Sequence, residues 1–184
     1  NNMLDEAREK FIFETTKEIV EECGDSLAGR EERREDASAH GKLVIACIPS
    51  RDEADELIAL MLAQILSAEG HRAQAVPLGS VEETLRGVVE MNPDVLFISA
   101  LPPSTLSHTR LLCRKARQGS PGLKVVIGLW GSGGDLQMFQ ERLGAGCSEF
   151  IVRSLSQAVK QVHAEESPSA ADADTDAAVQ EAQH

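Results

Sequence analysis

Residues 42–162 predict a doubly wound α/β domain on a five-stranded parallel sheet, preceded by an N-terminal helix. Two observations carry this expectation. Short, β-branched apolar runs alternate with amphipathic stretches five times within about 120 residues, and parallel strands need such crossover helices to connect them. The leading runs are also apolar at consecutive positions, as in a strand covered on both faces.

Along the chain, residues 3–23 read as a charged helix, with Leu4, Phe11, Ile12, Thr15, Ile19 and Cys23 recurring among Glu, Lys and Arg. Gly24 is placed to end it, because a helix C-terminus often needs a residue tolerant of positive φ. Residues 25–41 have linker composition around the charge block Arg30–Asp36, a block that alternatively extends the helix. The first strand is expected over Leu43–Ile48. A helix over Asp52–Glu69 follows, its acidic first turn suited to the positive end of the dipole and Gly70 just beyond it. His71–Pro77 is a weaker second strand and Val81–Met91 a second helix. Asp94–Ser99 is a third strand, Thr105–Gln118 a third helix and Leu123–Gly128 a fourth strand. Leu136–Leu143, Glu149–Val152 and Ser156–Val162 complete the alternation. After Val162 the chain is mostly Ala, Asp, Glu, Ser and Gln with one Pro, too little apolar surface to offset chain entropy, so disorder is expected. The implied organisation is a helix and linker over 1–41, the sheet domain over 42–163 and an acidic tail over 164–184.

Right-handed crossovers and this length favour the flavodoxin-like strand order 2-1-3-4-5, whose ligands bind at the carboxyl ends of the strands where the order reverses. That edge would be built from Pro49–Asp52, Ser99–Pro103 and Gly128–Gly134, the segments of unusual composition. Ser50, Arg51, Asp52, Ser99, Leu101, Pro102, Gly128 and Trp130 are therefore the candidate ligand contacts.

Charge is unevenly divided among the 184 residues. Residues 42–162 carry 12 basic and 12 acidic side chains, residues 1–41 carry 6 and 12, and residues 164–184 carry none and 6, so the whole formal charge of −12 lies in the flanks. Without a clustered positive surface, nucleic acid is not expected as a partner. Cys23, Cys47, Cys113 and Cys147 lack CxxC spacing and read as small hydrophobes in a reducing compartment. Neither a secretory signal nor an apolar run of about 18 residues occurs. The opening Asn1-Asn2-Met3 leads us to expect a longer natural protein.

Several features have ordinary readings beside sharper ones. His108 could face the cleft as a ligand or proton carrier, but a solvated helix histidine is favoured because no carboxylate or thiol lies at metal-ligand spacing. His71, starting a strand after a glycine, reads as a surface residue. Arg110, Arg114 and Arg117 form a basic stripe that would suit anionic headgroups or the acidic flanks, with a solvated face the favoured alternative. Arg51 and Asp52 either contact a small anion at the helix N-terminus or only cap the helix. Gly131-Ser132-Gly133-Gly134 lacks the P-loop lysine and reads as a flexible turn. Ser50 and Ser99 have no matched histidine and acid, and Cys47 is in a strand, so no enzyme is expected.

The same three loops resemble the cofactor loops of cobalamin-binding domains, whose signature is Asp-x-His-x-x-Gly, then Ser-x-Leu, then a Gly-Gly pair. The resemblance spans residues 42–162. It implies that Asp52 matches the aspartate, Ser99 and Leu101 the Ser-x-Leu, and Gly128 one glycine. It also implies that Ala54 stands where the cobalt-ligating histidine belongs, Leu57 where a glycine opens the nucleotide-tail channel, and Trp130 where a small residue is usual. Cobalamin is therefore not the expected cofactor, with base-on binding that uses Ser99, Leu101 and Gly128 as the alternative. A receiver domain shares the fold, but it ends its third strand in aspartate where this chain has Ser99.

The strings Cys47–Glu56, Ile98–Pro103 and Val126–Trp130 also resemble the cytosolic C-terminal domain of some permeases of the autoinducer-2 exporter-like family. That resemblance implies a non-catalytic regulatory, ligand-sensing or interaction domain, with the membrane domain of the same protein as partner. The implied location is cytoplasmic and attached to the inner membrane. The narrow apolar stripe of the first helix leaves two expectations open, a homodimer or docking of that helix on its own sheet domain.

Overall fold

The computed structural model describes residues 2–31, 43–102, 106–131, 136–144, 147 and 150–166. Helix α1 (Asn2–Glu31) precedes the alternation β1 (Val44–Pro49), α2 (Glu53–Ala68), β2 (Arg72–Ala75), α3 (Val81–Met91), β3 (Val95–Ala100), α4 (Leu106–Gly119), β4 (Lys124–Leu129), α5 (Leu136–Leu143), β5 (Phe150–Val152) and α6 (Leu155–Glu166). The strands form one sheet in the order β2-β1-β3-β4-β5, all pairs parallel. This is the flavodoxin-like arrangement expected from the alternation.

The continuous apolar runs follow from burial on both faces. Ile45, Cys47, Phe97 and Val126 point to one side and pack with Leu62 and Leu66 of α2 and Ala158 and Val162 of α6. Ala46, Ile48, Leu96, Ile98, Val125 and Ile127 point to the other, against Val88 of α3, Leu112 and Cys113 of α4 and Leu143 of α5. Successive strand residues thus serve alternate layers, and a polar residue in either set would lose its water. Ser80 and Glu83 form a reciprocal capping box at the start of α3, and Asn92 closes that helix in the left-handed region at φ 45°.

Three expectations need correction. Helix α1 does not stop at Gly24 but runs through it to Glu31. The glycine answers a packing need instead: a Cβ there would lie 2.3 Å from Gln64 Nε2, so its absence lets α1 lie close on α2. Val20 is buried in the same contact, and Lys17 pairs with Glu56 at 3.4 Å. The α1 face bearing Phe11, Ile12 and Ile19 stays exposed, at 67, 60 and 56%.

Helix α6 extends four residues beyond Val162, into the expected tail. Glu165 reaches back to Lys124 at the foot of β4 and accepts from Gln161 at 3.1 Å, which gives those residues tertiary partners that composition does not reveal. Third, His71 is buried rather than on the surface, enclosed where α2, β2 and α6 meet. Residues 32–42 of the expected linker, the turn residues Ser132, Gly133 and Gly134, and the tail from 167 to 184 lie outside the described residues. Among the described residues, no helix is long and apolar enough to cross a membrane.

Candidate functional site

The switch in strand order lies between β1 and β3, and Pro49 sits opposite Ser99, itself opposite Gly128. The carboxyl ends of three strands therefore present Ser50, Ser99 and Gly128 side by side. The turn leaving β1 is held by two carboxylates with different duties. Asp52 has extended backbone (φ −136°, ψ 177°) and accepts the Asp55 N–H at 3.1 Å, so it caps α2. Asp55 is fully buried. One of its oxygens accepts the Leu101 N–H at 2.7 Å and the other the Arg51 N–H at 2.9 Å. A single side chain thus ties the loop after β1 to the loop after β3. Burial, helped by the nearby Asp52 charge and opposed by these N–H donors, pushes its carboxyl up to about 6.

Ser50 is buried, its N–H donating to the Ser99 carbonyl at 2.8 Å and its hydroxyl 2.8 Å from Thr109 Oγ1 on α4. The Trp130 N–H continues the ladder to the Ala100 carbonyl at 3.1 Å. Its ring folds back along the strand onto Gly128, so that a Cβ at 128 would lie 2.0 Å from Cζ2. The indole is buried and belongs to the α2–α6 layer of the core. Ser99 Oγ and Trp130 Nε1 are both buried without a hydrogen-bond partner.

Of the residues proposed from sequence, Ser50, Ser99, Gly128 and Trp130 form the buried part of this edge, Trp130 packed on Gly128 in the α2–α6 layer and the Ser50 hydroxyl turned to Thr109 of α4 on the opposite face of the sheet. Arg51, Asp52 and Pro102 are exposed on its rim, with Leu101 half-buried between. Leu57 is buried, and Ala54 is half-buried on the first turn of α2. Asp55 and Thr109 are the members that sequence reasoning missed. Asp55 was visible only within the acidic first turn read as suiting the helix dipole, beside Asp52, which was read as a ligand contact or a helix cap. Its position three residues after the N-cap, pointing inward, is the signal that separates it from Glu53, which is exposed. Cavities elsewhere include one of about 670 Å³ beside β2 and α3, bordered by Arg72, Gln74, Val76 and Glu90, and one of about 530 Å³ at the amino ends of β1, β3 and β4, near Asn92, Pro93 and Ser120. Neither is lined by the switch-point cluster.

The Cys47 thiol, fully buried in β1, is pushed up by desolvation and held protonated. Cys113 donates its thiol to the Cys147 carbonyl within the opposite layer.

Fold, strand order and switch-point loops define a flavodoxin-like domain with a filled strand-end site. A novel cobalamin-binding protein from Desulfitobacterium hafniense DCB-2 has a similar fold, with a TM-score of 0.50 and 20% identity over 76% of this chain. The match covers 66% of that protein. NtrX from Brucella abortus is also similar, in complex with ADP (TM-score 0.47, 15% identity, 68% of this chain and 27% of that one) and with ATP (0.47, 15%, 76% and 29%). No family model and no curated protein matches the chain.

The residues present do not fit cobalamin as the family signature holds it. Ala54 offers no ligand atom, Leu57 is built into the core, and the Trp130 ring occupies the space above Gly128.

Proposed function

We propose that the chain is a non-catalytic ligand-sensing or interaction domain of flavodoxin-like form, the cytosolic part of a permease-like membrane transport protein. The observation that carries this reading is the Trp130 indole packed onto Gly128, which closes the strand ends where this fold otherwise admits a ligand. The non-catalytic part is supported by the site's chemistry: Ser50 is engaged with Thr109, and Asp55 spends both oxygens on backbone N–H groups. The transport part rests on the three strings at Cys47–Glu56, Ile98–Pro103 and Val126–Trp130 and on the charged helix before the sheet. A small polar ligand, including an anion, would meet Arg51 and Pro102 at the rim. It would expose Ser99 Oγ and Trp130 Nε1 only by moving the indole.

Trp130 is the only tryptophan and the chain has no tyrosine, so intrinsic fluorescence reports on this site alone. Titration with hydroxo-, methyl- and adenosylcobalamin should leave the visible spectrum of the cofactor unchanged to millimolar concentration. Saturable binding with a base-on spectrum would establish the cofactor-module alternative instead. A small-molecule ligand of the site should shift the blue, buried-indole emission, and a panel of anions that leaves it unmoved would remove the sensing half of the proposal.

A second copy of the chain, meeting the exposed Phe11, Ile12 and Ile19 of α1, belongs to the same reading, because Ile12 and Ile19 are one heptad apart. Sedimentation of wild type and of an Ile12→Glu/Ile19→Glu variant should show a dimer and a monomer respectively; two monomers would overturn it.

A further inference from the structure

The parallel strands all begin at one edge of the sheet, opposite the switch-point loops. At that edge α2 ends, β2 begins and α6 ends, and their junction encloses His71. The imidazole is almost wholly buried, 2% exposed, and neither ring nitrogen has a hydrogen-bond partner. Burying a ring with two unsatisfied nitrogens costs free energy that a phenylalanine or leucine there would not. What His71 faces is unusual in composition. His163 lies with its ring centroid 6.1 Å away, and Glu166 Oε1 is 3.5 Å from His71 Nδ1. One nitrogen or oxygen from each of His71, His163 and Glu166 falls within 4.8 Å of the others. Glu69, the residue closing α2, has its carboxylate 3.8 Å from His163 Nε2.

We propose that His71, His163 and Glu166 form a binding site for a divalent metal ion of the zinc class, independent of the switch-point site. Two imidazoles and a carboxylate are a borderline-soft donor set that suits zinc better than magnesium or calcium. His163 and Glu166 are three apart on α6 and so share one helix face, while His71 approaches from the position just before β2. Burial is the largest influence on His71 and lowers its basicity, against the nearby Glu166 and Glu69 carboxylates, which raise it. Donors around tetrahedral zinc lie roughly 3.3 Å apart, given bonds of about 2 Å. The closure needed from the present spacing is a rotamer adjustment by the two outer ligands, and both can make it: the His163 side chain is 47% exposed and that of Glu166 26%. The fourth position goes to Glu69 or to water. Bound metal would clasp the end of α6 to the foot of β2.

The test uses the full chain freed of metal with a chelator, then titrated with Co²⁺ as a spectroscopic probe and with Zn²⁺ in competition. One equivalent should bind, with the visible bands of a four-coordinate cobalt site, and zinc should displace it and raise the melting temperature. His163→Ala and Glu166→Gln change partly exposed helix positions and should fold, as circular dichroism would verify. Each should weaken zinc binding by roughly tenfold or more, because a three-ligand site loses one donor, and each should abolish the zinc-dependent melting shift. Metal binding that both variants leave unchanged would place the ion elsewhere, and no saturable binding by the wild type would reduce the cluster to an ion-pair knot; either result overturns the proposal.

Discussion

Truncating Trp130 to alanine is expected to destabilise the protein by about 3–5 kcal/mol, the range for removing a buried aromatic side chain from a core. Gly128→Ala in the native background should cost about 2–3 kcal/mol, because the new methyl group would sit 2.0 Å from the indole Cζ2 and a rigid ring cannot bend aside as a flexible chain end would. The two changes should not add. With Trp130 already gone, the alanine methyl at 128 enters vacated space, so the double variant should be more stable than the sum of the single losses implies by roughly 1–3 kcal/mol. Urea denaturation followed by circular dichroism measures all four corners of the cycle. Additive losses would mean that the indole does not rest on Gly128, and the closure of the strand ends would lose its physical basis. The same variants bear on function: Trp130→Ala should open space above Gly128, while Ala54 would still offer no cobalt ligand.

The second large effect concerns Asp55. Replacing it with alanine removes the acceptors of the Leu101 and Arg51 N–H groups and unties the loops after β1 and β3, with an expected loss of about 2–4 kcal/mol. Its titration gives a sharper signature. The carboxyl rises from 3.8 to about 6 on folding, with burial the largest cause. A folded value above the unfolded one means that the folded chain retains a proton the unfolded chain has released. The contribution is therefore fully present below about pH 4 and is lost as pH rises through about 6. A shift of about two units corresponds to roughly 3 kcal/mol across that window. Asp55→Asn keeps an acceptor for one N–H and cannot titrate. The difference in unfolding free energy, wild type minus Asp55→Asn, should therefore fall by about 2–3 kcal/mol between pH 4 and pH 7. Parallel pH profiles for the two proteins would show that Asp55 does not carry the shift.

How the fold was legible in sequence follows from the physics of a two-sided sheet. Leu43 through Ile48 and Val95 through Ile98 are apolar at every position because both faces of β1 and β3 are covered. That requirement is written in consecutive residues and needs no knowledge of the rest of the chain. Parallel pairing then demands crossover helices, and their handedness leaves the strand order little choice. The switch-point loops could be named for the same reason, since their place follows from topology once the strands are assigned.

What stayed hidden depends on residues far apart in sequence. Gly24 looked like a helix end because a lone glycine is ambiguous between a C-cap and a close approach, and only Gln64, forty positions later, decides between them. Asp55 looked like its acidic neighbours until Leu101 supplied the N–H that draws it inward.

The sequence by itself determined the α/β alternation, the sheet order and the three loops at the strand ends, because each follows from local apolar pattern and chain connectivity. Only the tertiary structure decided that Trp130 closes those strand ends, that Asp55 joins two of the loops, and that His71 meets His163 and Glu166 at the far edge. Those outcomes depend on which side chains meet after the chain has folded, and short-range pattern carries no record of such meetings.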